Sequence, residues 1–453
     1  VLTVKFAKQS VSLLLVVLLV VSAVGSASAA GALTSQQEWE ARWDSVKTDT
    51  GVIALTPGAD ETEMRFAWLS ELYDFAPKFK LGENPGLTDA VELKVTGTPG
   101  LAGRIANKVT AAGLKEDTTY YYSYTVNGLW RKTARFQTGG SGDFKALLVS
   151  DIQIGRSGDE SLDEVLIRDS YGWNRTLETA VAENPDISFI LSAGDQVNTA
   201  LTNKQYNALL APEPLRSLPF AAAMGNHDFS FPLYRYHFNN PNEFTGDLLG
   251  APGGFAFWFT RGNALFLVLN SNATLPFGQE SFIRQAVEAN PDAVWRVVLM
   301  HHSIYGANGD GGLNAVWKFY ASMFDDYDID LVLSGHDHVH CRTYPLKGGQ
   351  IDPDGTVYLS ESSSSGSKYS GAPETAPWYA ASCRQDRAPT YSVLEFDENA
   401  LTVNTYRADT LETVDDELVL EKDGPDGIPG ETGGLAKLIE IVEILVQLLK
   451  ASV

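Results

Sequence analysis

Apolar positions between residues 30 and 138 come in short runs, and turn-forming residues cut them apart. Strand-like stretches fall at 52–55, 63–69, 90–95, 106–110, 120–126 and 132–136, with Pro57-Gly58, Pro85-Gly86, Gly97 to Gly100 and Asn127-Gly128 between them. Short strands at this spacing, punctuated in this way, predict an all-β sandwich. Trp68 sits on an early strand, where its ring would fill the core. The run Tyr120 to Tyr124 alternates too weakly for its faces to be assigned. A glycine-rich stretch, 139–142, reads as a linker and ends this segment.

Beyond it the period changes. Apolar strands at 146–150, 187–191, 219–224, 264–269, 295–300 and 331–333 alternate with helix-like segments at 162–183, 279–289 and 314–324. Further strand runs at 356–360, 391–396 and 401–406 close the pattern, which predicts an α/β layered domain.

The two ends read differently. Lys5 and Lys8 precede an apolar run at 11–21, and small residues follow, with Ala27-Ser28-Ala29 fitting a signal peptidase site. The apolar run is short for a bilayer span, so a cleaved signal peptide over 1–29 is expected, an uncleaved anchor being the alternative. At the other end a Gly/Pro/Asp-rich stretch, 423–434, leads to an amphipathic helix at 435–450. Lys437, Glu440, Glu443, Gln447 and Lys450 share one side of it, and the rest is almost all Leu, Ile and Val. That apolar arc is wide for a surface helix, which suggests packing on the α/β domain, self-association or docking on a membrane surface. The expected divisions are 1–29, 30–140, 141–410 and 411–453.

Charge narrows the range of partners. The formal net charge is −23, and residues 1–29 remove two lysines and no acid. Such a surface repels nucleic acid, so no nucleic-acid partner is expected, and a site for any anionic substrate needs local positive charge that metal ions could supply. Cys341 and Cys383 are the two cysteines; in an exported chain they form either a disulfide or two buried thiols. Asn174-Arg175-Thr176 and Asn272-Ala273-Thr274 match the glycosylation sequon, which carries little weight beside a bacterial-looking leader.

Candidate chemistry gathers at strand ends, where open α/β sheets place ligands. Five motifs stand there: Ser150-Asp151-Ile152-Gln153, Gly194-Asp195-Gln196-Val197-Asn198, Gly225-Asn226-His227-Asp228, Met300-His301-His302-Ser303 and Ser334-Gly335-His336-Asp337-His338. Each alone could be a cap or a turn. Six of the seven histidines, however, lie in or beside three of them, with His237 outside. Carboxylate, amide and imidazole groups converging from several strands suit borderline metal ions.

This order of motifs resembles the calcineurin-like metallophosphoesterase superfamily, over about residues 145–406. The segment before it, with Leu55-Thr56-Pro57-Gly58, Trp68 and the tyrosine-rich strand, resembles the fibronectin-III-like domain of purple acid phosphatases. The stretch from Gly335 to Pro345 is similar to the same family, which usually has Tyr where His340 stands. The fold implied is a fibronectin-III-like β-sandwich followed by an α/β/β/α layered metallophosphoesterase domain.

The resemblance also implies roles. One ion would take Asp151, Gln153, Asp195 and His338; the other Asp195, Asn226, His301 and His336, with Asp195 bridging. Paired ions hold a hydroxide between them that attacks phosphorus in line. His227 would stabilise the developing charge or protonate the leaving oxygen, with Asp228 or Asn198 orienting its ring. His302, His340 and Asn198 are candidates for substrate contact, with an ordinary structural role the alternative for the two histidines. Residues 362–367 form a small-residue loop, read as a flexible turn more readily than as a lining of the site. The family's colour arises from a tyrosinate three residues after the bridging aspartate, and Asn198 holds that position here. A colourless pair of divalent ions, manganese, zinc or ferrous iron, is therefore expected. The leading reading is an exported phosphomonoesterase acting on a small phosphate ester. A phosphodiesterase or nucleotide phosphatase, and a non-catalytic exported binding protein, are the alternatives.

Overall fold

The computed structural model describes residues 33–100, 103–229, 233–244, 255–272, 277–307 and 315–422. The signal peptide expected at 1–29 and the helix expected at 435–450 lie outside these residues. Among the described residues no helix is long and apolar enough to cross a membrane.

Nine short strands between Ala54 and Gln137 form two antiparallel sheets. Glu63–Glu71 pairs with Ala54–Pro57 and Arg104–Ala112 in one, and Phe79–Gly82 with Thr119–Val126 in the other. Trp68, Phe66, Phe79, Tyr122 and Phe136 pack in one core cluster. Trp68 is fully buried, and its indole N–H donates to the Thr125 carbonyl, so the large ring carries no unpaired polar atom into the core. The tyrosine run resolves as well: Tyr120, Tyr122 and Tyr124 join that core, while Tyr121 lies half-buried.

The all-β expectation for 30–140 needs one correction, since a helix, Gln36–Thr48, precedes the sheets. Ser35 and Glu38 cap it reciprocally: the Ser35 side chain accepts from the Glu38 N–H, and Glu38 accepts from the Ser35 N–H. A helix this short is marginal alone. Trp39, Trp43 and Val46, at helical spacing, anchor it in the core that also holds Trp173 and Tyr206. The Trp39 indole donates to Ser170 Oγ at 2.9 Å.

Two sheets facing each other form the middle of the larger part. The first runs Phe220–Ala222, Ile187–Ser192, Phe144–Val149, Thr390–Phe396, Ala400–Arg407, Leu418–Glu421. Its first three strands are parallel and the rest antiparallel. The last strand pairs Leu418 with Val403, so the sheet continues past the domain end expected at 410. The second sheet orders Phe257–Arg261, Ala264–Val268, Trp295–Leu299, Leu331–Ser334, Val357–Ser360, His340–Thr343, Ala380–Arg384. Their facing sides share a core of Leu148, Phe189, Phe266, Leu299, Leu333 and Phe396. The outer side of the first sheet carries the helices Gln36–Thr48, Asp163–Glu183 and Asn203–Leu210. The outer side of the second carries Phe277–Ala289 and Ala315–Asp326. The layers are therefore α/β/β/α.

Register brings the strand ends level. Val149 pairs with Ser192 and Ser192 with Ala222 in the first sheet, and Leu299 pairs with Leu333 in the second. The five motifs leave from these ends, so all five emerge along one edge of the double sheet. Cys341 and Cys383 face each other directly across neighbouring antiparallel strands and are thiols here.

Candidate metal centre

Backbone conformation marks this edge. Asp151, Gln153, Asp195, His336 and His338 all have positive φ, between 43° and 71°. A non-glycine residue held there costs on the order of 1 kcal/mol or more, and persists only where its surroundings impose it. Here the strain turns side chains at strand ends back over the sheet edge. Two motif glycines allow the resulting close approach. A Cβ on Gly335 would overlap Ser150 Oγ and Asp151 Oδ2, and one on Gly225 would overlap Asp195 Oδ1.

Four ligand atoms converge from four loops. His301 Nε2 lies 3.2 Å from Asn226 Oδ1, 3.3 Å from Asp195 Oδ2 and 3.2 Å from His336 Nδ1. His336 Nδ1 is 3.1 Å from Asn226 Oδ1. Atoms each about 2.0–2.1 Å from a common ion would stand roughly this far apart. The remaining polar atoms of these groups are already committed to the protein. His301 Nδ1 donates to the Ala193 carbonyl at 2.9 Å, which leaves Nε2 as the ligating nitrogen. Asp195 Oδ1 accepts the His227 N–H at 2.8 Å, which leaves Oδ2.

Asp151 repeats the arrangement beside them. Its Oδ2 accepts from the His336 N–H and from Ser150 Oγ, while Oδ1 has no hydrogen-bond partner and stands 3.4 Å from His338 Nε2. Gln153 is fully buried; one end of its amide lies 3.5 Å from Asp195 Oδ2 and the other has no partner. Amide oxygen and nitrogen are interchangeable by a half-turn, so the oxygen can face the same point. Buried polar atoms without partners are costly, and a cation between Asp151, Gln153, Asp195 and His338 would satisfy them. Among the described residues, Asp151, Asp195 and His301 offer ligand atoms that all lie within 4.8 Å of one another. The donor set thus fits a pair of ions. Burial opposes charge on His301, yet the Asp195 carboxylate raises it to about 10. Asp195 is itself held below the usual carboxylate range, against its burial, by His301. Ion binding would displace that imidazole proton. Asn226 and His336 are exposed, so the cluster opens to solvent on their side.

The remaining candidates divide. His227, half-exposed, donates from Nδ1 to the Asn198 backbone carbonyl at 2.8 Å, so the backbone of Asn198, and not its side chain, orients the ring. Asp228 requires a correction. Its carboxylate is buried and accepts the Gln196 and Gly225 N–H groups, which ties the second motif to the third and leaves the His227 ring to Asn198. Burial, with Asp195 nearby, pushes Asp228 up to about 8. His302 lies half-buried with its ring centroid 4.5 Å from that of His336, and its Nδ1 is 2.8 Å from Ser271 Oγ. Burial lowers it to about 3, so the ring is neutral. His237 is buried and stacked on Tyr206, with 4.3 Å between centroids.

His340 is not at the substrate edge. The left-handed residues at His336 and His338 break strand alternation, and the regular strand begins only at His340. Its ring is buried between Asp415, 3.4 Å from Nε2, and Glu361, 3.9 Å from Nδ1. Arg342 completes the group with Nε 2.6 Å from Asp415. Burial opposes the charge on His340, yet the bonds to Asp415 and Glu361 raise it to about 9. Its contribution to stability is therefore fully present below its unfolded pKa of about 6.5 and is lost as pH rises through about 9. In chelator, to hold metal occupancy fixed, the urea midpoint should fall across that window and should fall less in His340→Gln.

Residues 362–367 are a buried brace, contrary to the expected flexible turn. Ser363 Oγ donates to the Asp151 carbonyl at 2.8 Å, Ser365 Oγ to the Ile152 carbonyl at 2.6 Å, and the Ser364 N–H to the Ser150 carbonyl at 2.9 Å. The loop thus secures the strained segment that carries Asp151 and Gln153. Neither sequon asparagine is free at the surface: Asn174 is buried, and Asn272 Nδ2 donates to the Met224 carbonyl before the third motif. Glu160, Glu361 and Asp415 also support the site and fall in no motif.

Comparison with known proteins agrees with this geometry. The family described as calcineurin-like phosphoesterase matches residues 144–340. Two uncharacterized proteins of Mycobacterium tuberculosis, from strains CDC 1551 / Oshkosh and ATCC 25618 / H37Rv, are each 27% identical over 190 residues, 36% of this chain. The match spans only 35% of the length of those curated relatives. Among solved structures, purple acid phosphatase PPD1 from yellow lupin (Lupinus luteus) seeds is similar with a TM-score of 0.61 at 15% identity, over 84% of this chain and 76% of that one. PhoD is similar with a TM-score of 0.55 at 10% identity, over 84% of this chain and 94% of its own. At these identities the likeness is one of fold. All five candidate motifs fall inside the family match, and the chain carries a calcineurin-like phosphoesterase domain at residues 144–340.

Proposed function

We propose that the chain is an exported phosphomonoesterase that works with two divalent ions. The observation that carries this reading is the convergence of Asp195 Oδ2, Asn226 Oδ1, His301 Nε2 and His336 Nδ1 beside the unpaired Oδ1 of Asp151. Asp151, Gln153, Asp195 and His338 would hold one ion, and Asp195, Asn226, His301 and His336 the other. When bound, such a pair supplies positive charge for the phosphoryl oxygens and makes water a better nucleophile.

The chain's own residues do the rest. Asn226 and His336 leave an exposed face through which a phosphate ester can reach the cluster. His227 stands at that face with its Nδ1 proton committed to a carbonyl, so Nε2 is the nitrogen left for the leaving oxygen; it gives a proton there from the doubly protonated ring and leaves the neutral Nδ1–H tautomer behind. The Asn198 side chain turns to Glu160, 2.6 Å away, and brings no anionic ligand to the ions. That favours a divalent pair, manganese, zinc or ferrous iron, and a colourless protein. The basic and apolar start of the sequence supports export, and the N-terminal pair of sheets is read as fibronectin-III-like.

Hydrolysis of p-nitrophenyl phosphate and of its bis-ester tests the substrate class. Metal-loaded protein should prefer the monoester in kcat/KM by roughly tenfold or more, since a second ester arm removes an anionic oxygen from the charge the site stabilises. Preference for the bis-ester would assign the site to diesters.

A further inference from the structure

We propose that Glu160 is a positioning residue for His227, acting through the Asn198–Thr199 segment between them. The inference rests on the reading of this site as a phosphoesterase centre in which His227 meets the leaving oxygen. Glu160 lies in the loop before the helix Asp163–Glu183, outside every ligand motif, and is half-buried. Its carboxylate draws three side chains together. Asn198 Nδ2 donates to it at 2.6 Å, Thr199 Oγ1 at 2.8 Å and Gln205 Nε2 at 3.1 Å. Gln205, fully buried, returns its carbonyl oxygen to the Thr199 N–H at 2.8 Å. On its other side the Asn198 N–H donates to the Ile154 carbonyl at 3.0 Å. The Asn198 peptide is thereby held from both sides.

That peptide carbonyl is the group that fixes His227. A carbonyl oxygen only accepts, so the imidazole nitrogen 2.8 Å from it, Nδ1, must carry the proton. The His227 backbone N–H is tied to Asp195 Oδ1, which joins the ring's position to the metal cluster. Glu160 thus stands at the head of a chain that runs from carboxylate to side-chain amide, to peptide carbonyl, to imidazole. Burial opposes charge on Glu160, yet hydrogen bonds from Asn198, Thr199 and Gln205 hold it below the usual carboxylate range.

The test uses the full metal-loaded chain with Glu160→Ala, Glu160→Gln, His227→Ala and the double variant Glu160→Ala/His227→Ala. Substrates are phenyl phosphate, with a poor leaving group, and p-nitrophenyl phosphate, with a good one. Glu160→Ala should lower kcat on phenyl phosphate roughly 10- to 100-fold, the range seen when an orienting partner is lost, with a much smaller effect on p-nitrophenyl phosphate. KM and metal content should hold, and Glu160→Gln, which still accepts through its amide oxygen, should recover most of the rate. In the His227→Ala background Glu160→Ala should change nothing further. An independent readout is the 15N shift pair of the His227 ring, identified by its loss in His227→Ala. Recorded at a pH where the ring is neutral, it should report one Nδ1–H tautomer in the wild type and a mixture in Glu160→Ala. An unchanged tautomer, an equal loss on both substrates, or a loss that persists without His227 overturns the positioning role alone. A loaded wild type that hydrolyses neither substrate overturns the phosphoesterase reading along with it.

Discussion

Asn226→Ala and His301→Ala should each lower kcat/KM on p-nitrophenyl phosphate by roughly two to three orders of magnitude while the fold persists. Both side chains belong to the tighter of the two ligand groups, where His301 Nε2 and Asn226 Oδ1 stand 3.2 Å apart. Removing either takes a ligand from the same ion and leaves the other half of the cluster in place. The two variants differ in their cost to the fold. Asn226 is exposed, so its truncation opens no cavity. His301 is fully buried and donates to the Ala193 carbonyl, so His301→Ala loses packing and a hydrogen bond as well as the ligand. Asn226→Ala is therefore the cleaner variant. Metal content measured beside activity should show one weakened site, and near-native rates in metal-scrubbed buffer would contradict the ligand assignment.

Gly335→Ala should be nearly as damaging, although it alters no ligand. Gly335 is absent from the positive-φ positions, so alanine meets no backbone penalty there. The penalty comes from space: its Cβ would overlap Ser150 Oγ and Asp151 Oδ2. Those two atoms are bonded to each other at 2.6 Å, and Asp151 Oδ2 also accepts the His336 N–H at 2.9 Å. To admit a methyl group the Asp151 carboxylate must rotate or the 334–338 loop must withdraw, and either moves Asp151 relative to His336 and His338. Overpacking of this kind costs about 1–3 kcal/mol in stability, and a ligand displaced by even 1 Å costs on the order of 100-fold in rate. A thermal melt together with metal titration separates the two. The expected outcome is a folded protein with weakened metal affinity and activity; native affinity would show that the loop yields without moving the ligands.

The candidate metal centre was legible in the sequence because each candidate ligand stands next to a strong local signal. An apolar strand ends, and Asp151 or His301 follows after one intervening residue, or a glycine comes and then Asp195, Asn226 or His336. The α/β/β/α layering was legible for the same reason, since the apolar runs and the helical segments alternate. What was not legible depends on distant residues. The helix Gln36–Thr48 was hidden behind the strand pattern after it, although Ser35 and Glu38 spell a capping box. Nothing local separates the serines at 362–367 from a loose turn; their partners are the Ser150, Asp151 and Ile152 carbonyls, more than 200 residues earlier. The sequence left His340 between a substrate contact and a structural role, and the left-handed residues at His336 and His338 that decide against the substrate edge have no local signal. Asp415, which pairs with His340 and Arg342, lies beyond the expected end of the domain. Glu160 had no signal of any kind, since its function is to hold a neighbour of a neighbour.

The most direct test of the central claim is a metal titration of the purified, chelator-stripped protein, with bound ions per chain and hydrolysis of p-nitrophenyl phosphate followed together under manganese, zinc or ferrous iron. Two ions should bind per chain, with hydrolysis rising only as the second site fills and no hydrolysis without metal. Full activity in the stripped protein, or saturation at a single ion, would contradict the two-metal account.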